Sequence, residues 1–138
     1  MKLTKKTRYG ARLLLDLAQH QDQGAVQMSG ISIRQNISVK YLEQIIRPLK
    51  KGKFVKSIRG PKGGHMLAKK PEKITLGDIT RLFEEQYELV DCISEPENCP
   101  KSDDCVVRLA WQKATIALYN VLDSISIANL LESKKSIT

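Results

Sequence analysis

Residues 38–68 constrain the fold of this chain more than any other stretch. Ser38 can cap a helix, and Gly52 can end it. Between them the apolar residues recur at helical spacing, at Val39, Leu42, Ile45, Ile46 and Leu49. Residues 54–58 then alternate as a strand, the glycine-rich run 59–64 predicts a turn, and residues 65–68 can return as the partner strand. The segment predicts a basic amphipathic helix followed by a two-stranded wing.

Two shorter helices are expected before this segment. Thr7 can cap the first, whose apolar positions recur up to His20, and the run 29–35 predicts a short second helix. Two short helices followed by a basic amphipathic one form the helix-turn-helix pattern, whose last helix lies in the DNA major groove. A core or dimer-forming helix with a charged outer face would give a similar pattern.

The charged face of the third helix and the tip of the wing carry the candidate DNA-binding residues. Glycines at the tip let the backbone approach DNA closely while an arginine enters the minor groove. The candidates are Ser38, Lys40, Tyr41, Gln44, Arg47, Arg59, Gly60 and Lys62.

Charge is divided unevenly along the chain. Residues 1–73 contain 17 Lys and Arg against 4 Asp and Glu, whereas residues 74–138 contain 6 against 11. A solvated face is the usual meaning of scattered basic residues, but segregation by position indicates that the first half meets a polyanion. No run reaches transmembrane length, and no nucleophile elbow, phosphate-binding loop or convincing carboxylate pair is present, so the sequence does not indicate an enzyme.

All three cysteines, Cys92, Cys99 and Cys105, lie in one loop-like run rich in proline, asparagine, serine and acids. Their odd number disfavours disulfides, and the N-terminal residues do not look like a secretory signal, so we expect a reducing cytoplasm. Structural zinc usually takes a closer cysteine pair and four protein ligands. The spacing favours an iron–sulfur cluster or another metal, with inert or redox-active thiols as the alternative.

The C-terminal part contains the longest apolar stripe. Ser102, Asp103 and Asp104 provide a cap and favourable acids for a helix over about 105–124, with Cys105 in its first turn. Small alanines in the stripe would let a twin helix approach, which predicts a homodimer, whereas a lone core helix is the alternative. The predicted interface residues are Val106, Leu109, Ala110, Ala114, Ala117, Leu118 and Val121.

Three runs together, 41–44, 56–64 and 74–79, resemble the Rrf family of winged-helix bacterial transcription regulators. The resemblance implies a mainly α fold with a small β wing (α+β): a winged helix-turn-helix followed by a long C-terminal dimerisation helix. We expect a DNA-binding region at 1–78, a connecting helix and cysteine loop at 79–105, and a dimerisation helix and tail at 106–138. The implied partner is a pseudo-palindromic operator in double-stranded DNA.

By the same resemblance, the three cysteines match the ligands of the cluster-binding branch. A four-iron cluster fits three thiolates slightly better than a two-iron one. The fourth ligand stays open, because Arg108 stands where one branch has a histidine and Arg8 where another has an aspartate. Asp103, Asp104, Glu43 or a small molecule are candidates. A cluster-free regulator of the cysteine-metabolism type, modulated by a partner protein or metabolite, is the alternative function.

Overall fold

The computed structural model describes residues 2–85, 88–90, 97 and 105–137. Within these residues the chain is mainly helical, with one two-stranded antiparallel sheet. The helices and strands are, in order, α1 (Lys5–His20), α2 (Met28–Gln35), α3 (Val39–Lys51), β1 (Val55–Ile58), β2 (Gly64–Leu67), α4 (Leu76–Phe83), α5 (Val106–Ser124) and α6 (Ile127–Ile137). The predicted mainly α fold with a small β wing is confirmed.

The core lies under the helix-turn-helix and the wing. Helix α1 contributes Leu13, Leu14 and Leu17, all fully buried, and α2 adds Ile31. Helix α3 buries four side chains of the predicted apolar stripe, whereas Val39 at its start is 39% exposed. Val39 is the first residue of the helix, and its side chain precedes the turn that packs on the core.

Two helix starts differ from the sequence prediction. Thr4, not Thr7, caps α1: its hydroxyl accepts the Thr7 amide at 3.5 Å, and Thr7 itself is buried in the first turn. Helix α5 begins at Val106 with Cys105 as its N-cap, so Cys105 precedes the first turn instead of lying in it. Thr75 caps α4, with a reciprocal bond from its own amide to Asp78.

The C-terminal segment contains a helix that the sequence analysis did not predict. Helix α6 follows α5 after two residues and packs on α1, with Ile127 fully buried in the core. A short antiparallel bridge holds the junction, in which the Leu76 amide donates to the Ile125 carbonyl (2.9 Å) and the Ile127 amide to the Ile74 carbonyl (2.8 Å). The end of α5 is thereby fixed to the start of α4.

No helix among the described residues combines the length and apolar character that a bilayer span requires.

Candidate nucleic-acid interface

Helix α3 presents a polar face because its opposite face is anchored in the core. The Ser38 hydroxyl accepts the Tyr41 amide (3.2 Å) and fixes the start of the helix. Leu42, Ile45, Ile46 and Leu49 are buried, which leaves Lys40, Gln44 and Arg47 exposed along one side. These three lie at helical spacing, so their side chains form a single row. The row has the chemistry that reads bases and binds phosphates in a major groove.

The wing is a short hairpin in which Val55 pairs with Leu67 at its base and Ile58 with Gly64 at its tip. Its turn exposes Arg59, Gly60 and Lys62. Gly60 has φ 110° in open space, so the backbone conformation itself requires glycine there. Arg59 and Lys62 therefore stand on a tight turn whose backbone requires glycine at position 60.

The start of β2, at the tip end of the wing, is attached to the loop that precedes α2. Val26 and His65 exchange two backbone hydrogen bonds, of 2.9 and 2.8 Å. A Cβ on the adjacent Gly64 would lie 2.5 Å from the Val26 carbonyl oxygen, so only glycine permits this approach. Burial, together with the positive charge of Lys50, lowers the pKa of His65 below its ordinary value. The ring is thus neutral near neutral pH and adds no charge to the wing.

A polar cluster between α1 and α2 fixes the position of the helix-turn-helix, and sequence reasoning did not find it. The Asp16 carboxylate is fully buried and accepts two bonds from Arg34 (3.0 and 2.7 Å) and one from Gln35 (3.0 Å). Burial alone would raise the pKa of Asp16, but the bonds from Arg34 and Gln35 and the charges of Arg34 and His20 hold it below its ordinary value. The signal in the sequence was an acid on the apolar side of a helix, three residues after Leu13.

The candidate cluster ligands lie mostly outside the described residues. Cys92 and Cys99 fall there, as do Asp103 and Asp104, while Cys105 is described. Its thiol is free and half-buried, and as the N-cap of α5 it accepts the Arg108 amide at 3.4 Å. Sulfur is a ligand that soft metals prefer, so this one described donor suits a soft metal. Within the described residues there is no group of three or more His, Cys, Asp or Glu that could hold a metal ion.

Two residues that precede the chain segment with the cysteines make hydrogen bonds to other elements of the fold. Before it, the Glu84 carboxylate accepts the Thr4 amide (2.8 Å) and the Thr7 hydroxyl (3.0 Å) at the start of α1. The Leu89 amide donates to the hydroxyl of Thr115 in the middle of α5 (3.3 Å). The segment therefore leaves the DNA-binding half at α1 and reaches α5 before Cys105 begins that helix.

Helix α5 has two different faces. Thr115 and Tyr119 are buried on the side towards α4, where Arg81 makes a two-bond ion pair with Asp123 (2.7 and 2.8 Å). The opposite side carries the predicted interface residues, which are exposed except for the half-exposed Leu118. Val106 is 78% exposed, Leu109 58% and Val121 57%. The longest apolar stripe of the sequence is thus not part of the protomer core.

The sequence model of the Rrf2 family, described as an iron-dependent transcriptional regulator, matches residues 3–133. Protein rrf2 of Nitratidesulfovibrio vulgaris Hildenborough is 42% identical over 131 residues, which cover 95% of this chain and 87% of that protein. Two solved structures are also similar in fold and sequence. One is IscR of T. potens, with a TM-score of 0.82, 35% identity and coverage of 100% of this chain and 91% of that one. The other is CymR (YrzC), the global cysteine regulator of B. subtilis, with a TM-score of 0.81, 33% identity and coverage of 96% and 98%.

These relatives are regulators, not enzymes, and their similarity extends over both the helix-turn-helix and the long helix α5. In helix-turn-helix proteins the second helix of the motif, here α3, is the one that lies in the major groove. The chain therefore belongs to the Rrf2 family of DNA-binding transcription regulators.

Proposed function

We propose that this chain is a homodimeric, cytoplasmic regulator of a pseudo-palindromic operator, and that an iron–sulfur cluster held by Cys92, Cys99 and Cys105 sets its affinity for that operator. The observation that carries the proposal is the position of Cys105. It begins α5, which exposes a long apolar stripe, so α5 would carry both a ligand of the cluster and the proposed dimer interface.

The dimer follows from the cost of exposing that stripe. Each apolar side chain that passes from water into an interface contributes roughly 1.5–3 kcal/mol. A symmetric pair of α5 helices would bury the same residues twice, with Ala110, Ala114 and Ala117 allowing the helix backbones to come close. Such a dimer would present two α3 helices and two wings to two half-sites about one helical turn apart.

The residues at the two ends of the cysteine segment provide the route from ligand binding to DNA binding. Glu84 is bonded to the start of α1, and Cys105 caps α5. A change in the conformation of the intervening chain would alter the position of α1 relative to α5, and so the separation of the two DNA-binding heads. When bound, a cluster would supply iron-dependent and redox-dependent bonds to three thiols, which is the property that a sensor of iron, redox state or cluster supply needs. The affinity difference between the two states would be the signal.

The test is to purify the protein without oxygen and to measure its colour, iron and sulfide. We expect a brown protein with near-stoichiometric iron and sulfide, and replacement of any of Cys92, Cys99 or Cys105 by Ala should abolish the chromophore. A single cysteine variant with unchanged iron content and spectrum would contradict the three-thiolate assignment.

Arg108→His tests the fourth position. Arginine is always protonated and has no lone pair to give a metal, whereas histidine does. Position 108 lies three residues after Cys105, in the first turn of α5. We expect the histidine variant to keep the chromophore and to lose iron to a chelator more slowly than the wild type, with Arg108→Gln as the matched control. Equal rates of iron loss to the chelator in all three proteins would mean that residue 108 does not reach the open coordination position of the cluster.

The second candidate function is a cluster-free regulator, and the likeness to CymR favours it. In that case the thiols would be incidental, and a partner protein or metabolite would control DNA binding. Colourless protein, prepared without oxygen, that still binds its operator with full affinity would support this alternative.

A further inference from the structure

Helix α1 carries two arginines on a face that the protomer core does not use. Arg8 and Arg12 are exposed and lie four residues apart, so they share one side of the helix, opposite the buried Leu13, Leu14 and Leu17. Among the described residues neither of them forms an ion pair. The only carboxylate in α1 is Asp16, one turn after Arg12, and it is buried and paired with Arg34. The positive charge of the two arginines is therefore directed to solvent.

The ring of Tyr9 lies between these arginines and connects them to the recognition helix. The Arg8 guanidinium is 5.8 Å and the Arg12 guanidinium 5.2 Å from the centre of that ring. The same ring meets Tyr41 edge to face, with the two centres 5.7 Å apart and the planes at 82°. Tyr41 is in the first turn of α3. Each arginine is thus one aromatic ring away from the end of α3 that would enter DNA.

Arg12 is also attached to the segment that leads into α3. Its Nε donates to the Gln35 side-chain oxygen (3.1 Å), and its guanidinium donates to the Gln35 carbonyl. Gln35 is the last residue of α2, and Asn36 follows it in the left-handed conformation, with φ 54°. A guanidinium that rests on a ring and is bonded to the backbone loses little further freedom when it binds a ligand. This arrangement suits a fixed anionic partner.

We propose that Arg8 and Arg12 form a second DNA-contacting surface, which binds the phosphate strand beside the major groove occupied by α3, with Tyr9 as the spacer that sets its distance from the recognition helix. The major groove is about 12 Å wide, so groups one ring away from a helix in the groove lie at its phosphate edge. Phosphate contacts fix the position of a protein on DNA and carry no sequence information. The proposal rests on the proposed operator binding and extends the footprint from α3 and the wing to α1.

The test is the salt dependence of DNA affinity, measured by fluorescence anisotropy. Each neutralised phosphate contributes about 0.9 to the slope of log affinity against log salt. Two probes of about 30 base pairs accommodate both half-sites: a mixed-sequence duplex, and a duplex selected by the wild-type protein from a random pool. We expect Arg8→Gln to reduce the slope by about one and Arg8→Gln/Arg12→Gln by about two on both probes. Arg8→Lys should keep the wild-type slope.

A control variant with the same loss of charge distinguishes direct contact with phosphates from the general electrostatic attraction between the protein and DNA. Lys73→Gln/Lys135→Gln removes two exposed cations from the side of the molecule where α6 packs, and its slope should equal that of the wild type. If Arg8→Gln behaves like this control, the second surface does not exist. Arg8 is the cleaner position, because loss of Arg12 also removes the bonds to Gln35.

Gln44→Ala distinguishes this failure from failure of the proposed function. If Gln44→Ala loses the preference for the selected duplex while Arg8→Gln equals the control, operator binding stands and the α1 surface is wrong. If the wild type does not prefer the selected duplex to the mixed one, operator recognition is wrong, and the slopes on the mixed duplex still decide whether α1 contacts phosphates.

Discussion

Arg34→Met should destabilise the protein more than Asp16→Asn, the corresponding loss of charge at its partner. The variant removes two of the three bonds to a carboxylate with no side-chain exposure, and leaves the bond from Gln35 and the more distant His20. Breaking a buried ion pair from one side costs about 3–5 kcal/mol. Because Gln35 still donates, we expect the lower end of this range, about 3 kcal/mol in the free energy of unfolding.

Asp16→Asn should reduce the free energy of unfolding by less than Arg34→Met does, because the two side chains differ in their exposure to solvent. The Arg34 side chain is 36% exposed, so after Asp16→Asn its guanidinium can return to water. We expect a loss of about 1–2 kcal/mol, the cost of weakened hydrogen bonds without a stranded charge. In Asp16→Leu/Arg34→Met both charges are absent, and most of the loss seen in Arg34→Met should be recovered. Urea unfolding at one fixed protein concentration measures all three, since a dimer gains stability with concentration.

The pH dependence gives an independent check of the same cause. In the wild type the pKa of Asp16 is lowered, so the stabilisation is present above the pKa of an unfolded Asp and is lost as the pH falls through the folded value. In Arg34→Met burial becomes the dominant influence and raises that pKa, so the stranded carboxyl takes up a proton readily. The deficit of the variant should therefore shrink between neutral pH and about pH 4. A deficit that is equal at both pH values, or equal losses in Arg34→Met and Asp16→Asn, would refute the argument.

Three further predictions concern the proposed dimer interface, the wing and the contact between α4 and α5. Ala117→Asp places a charge in the proposed seam and should give monomers in sedimentation velocity with unchanged helix content, because the residue is exposed in the protomer; a variant that remains dimeric would exclude this seam. Arg59→Ala should lower operator affinity by about 1–3 kcal/mol, whereas Lys50→Ala should mainly reduce the salt slope by about one; identical behaviour in anisotropy titrations would argue against a wing that reads DNA. Gly77→Ala puts a Cβ 1.8 Å from Asp123 Oδ1, so it should displace that carboxylate and cost about 1–3 kcal/mol in thermal unfolding, but little when combined with Asp123→Ala.

The DNA-binding half was largely predictable because its signals are local. Ser38 caps α3, as the sequence indicated, since a cap needs only a short side chain and the amides that follow it. The wing followed from alternation interrupted by glycines, and its glycines are required by the backbone at Gly60 and by the close approach of Val26 at Gly64. Thr4 and Thr7 show the limit of such signals. Both can cap, and the fold buries Thr7 and bonds its hydroxyl to Glu84, 77 residues away.

The remaining features depend on contacts between distant parts of the chain. Asp16 looked like an ordinary helix residue until α2 brought Arg34 and Gln35 to it. Helix α6 was missed because its sequence is not strongly amphipathic, and its position is decided by Ile127, which enters the core formed by the first half. Neither relation is periodic or local, so no pattern within a single helix could have indicated it.

The two faces of α5 explain why its apolar stripe was ambiguous in the sequence. Periodicity identifies an apolar stripe but not the surface that covers it, because a helix in the core and a helix in a dimer interface have the same period. In the protomer the inward side of α5 is the one with Thr115, Tyr119 and the Asp123 ion pair, while the apolar side is left to solvent. Large exposed apolar patches mark surfaces that bind other molecules, and this is the basis of the proposed dimer. Because Cys105 begins this helix, a cluster bound to the cysteines would affect the proposed dimer interface as directly as it affects the DNA-binding half.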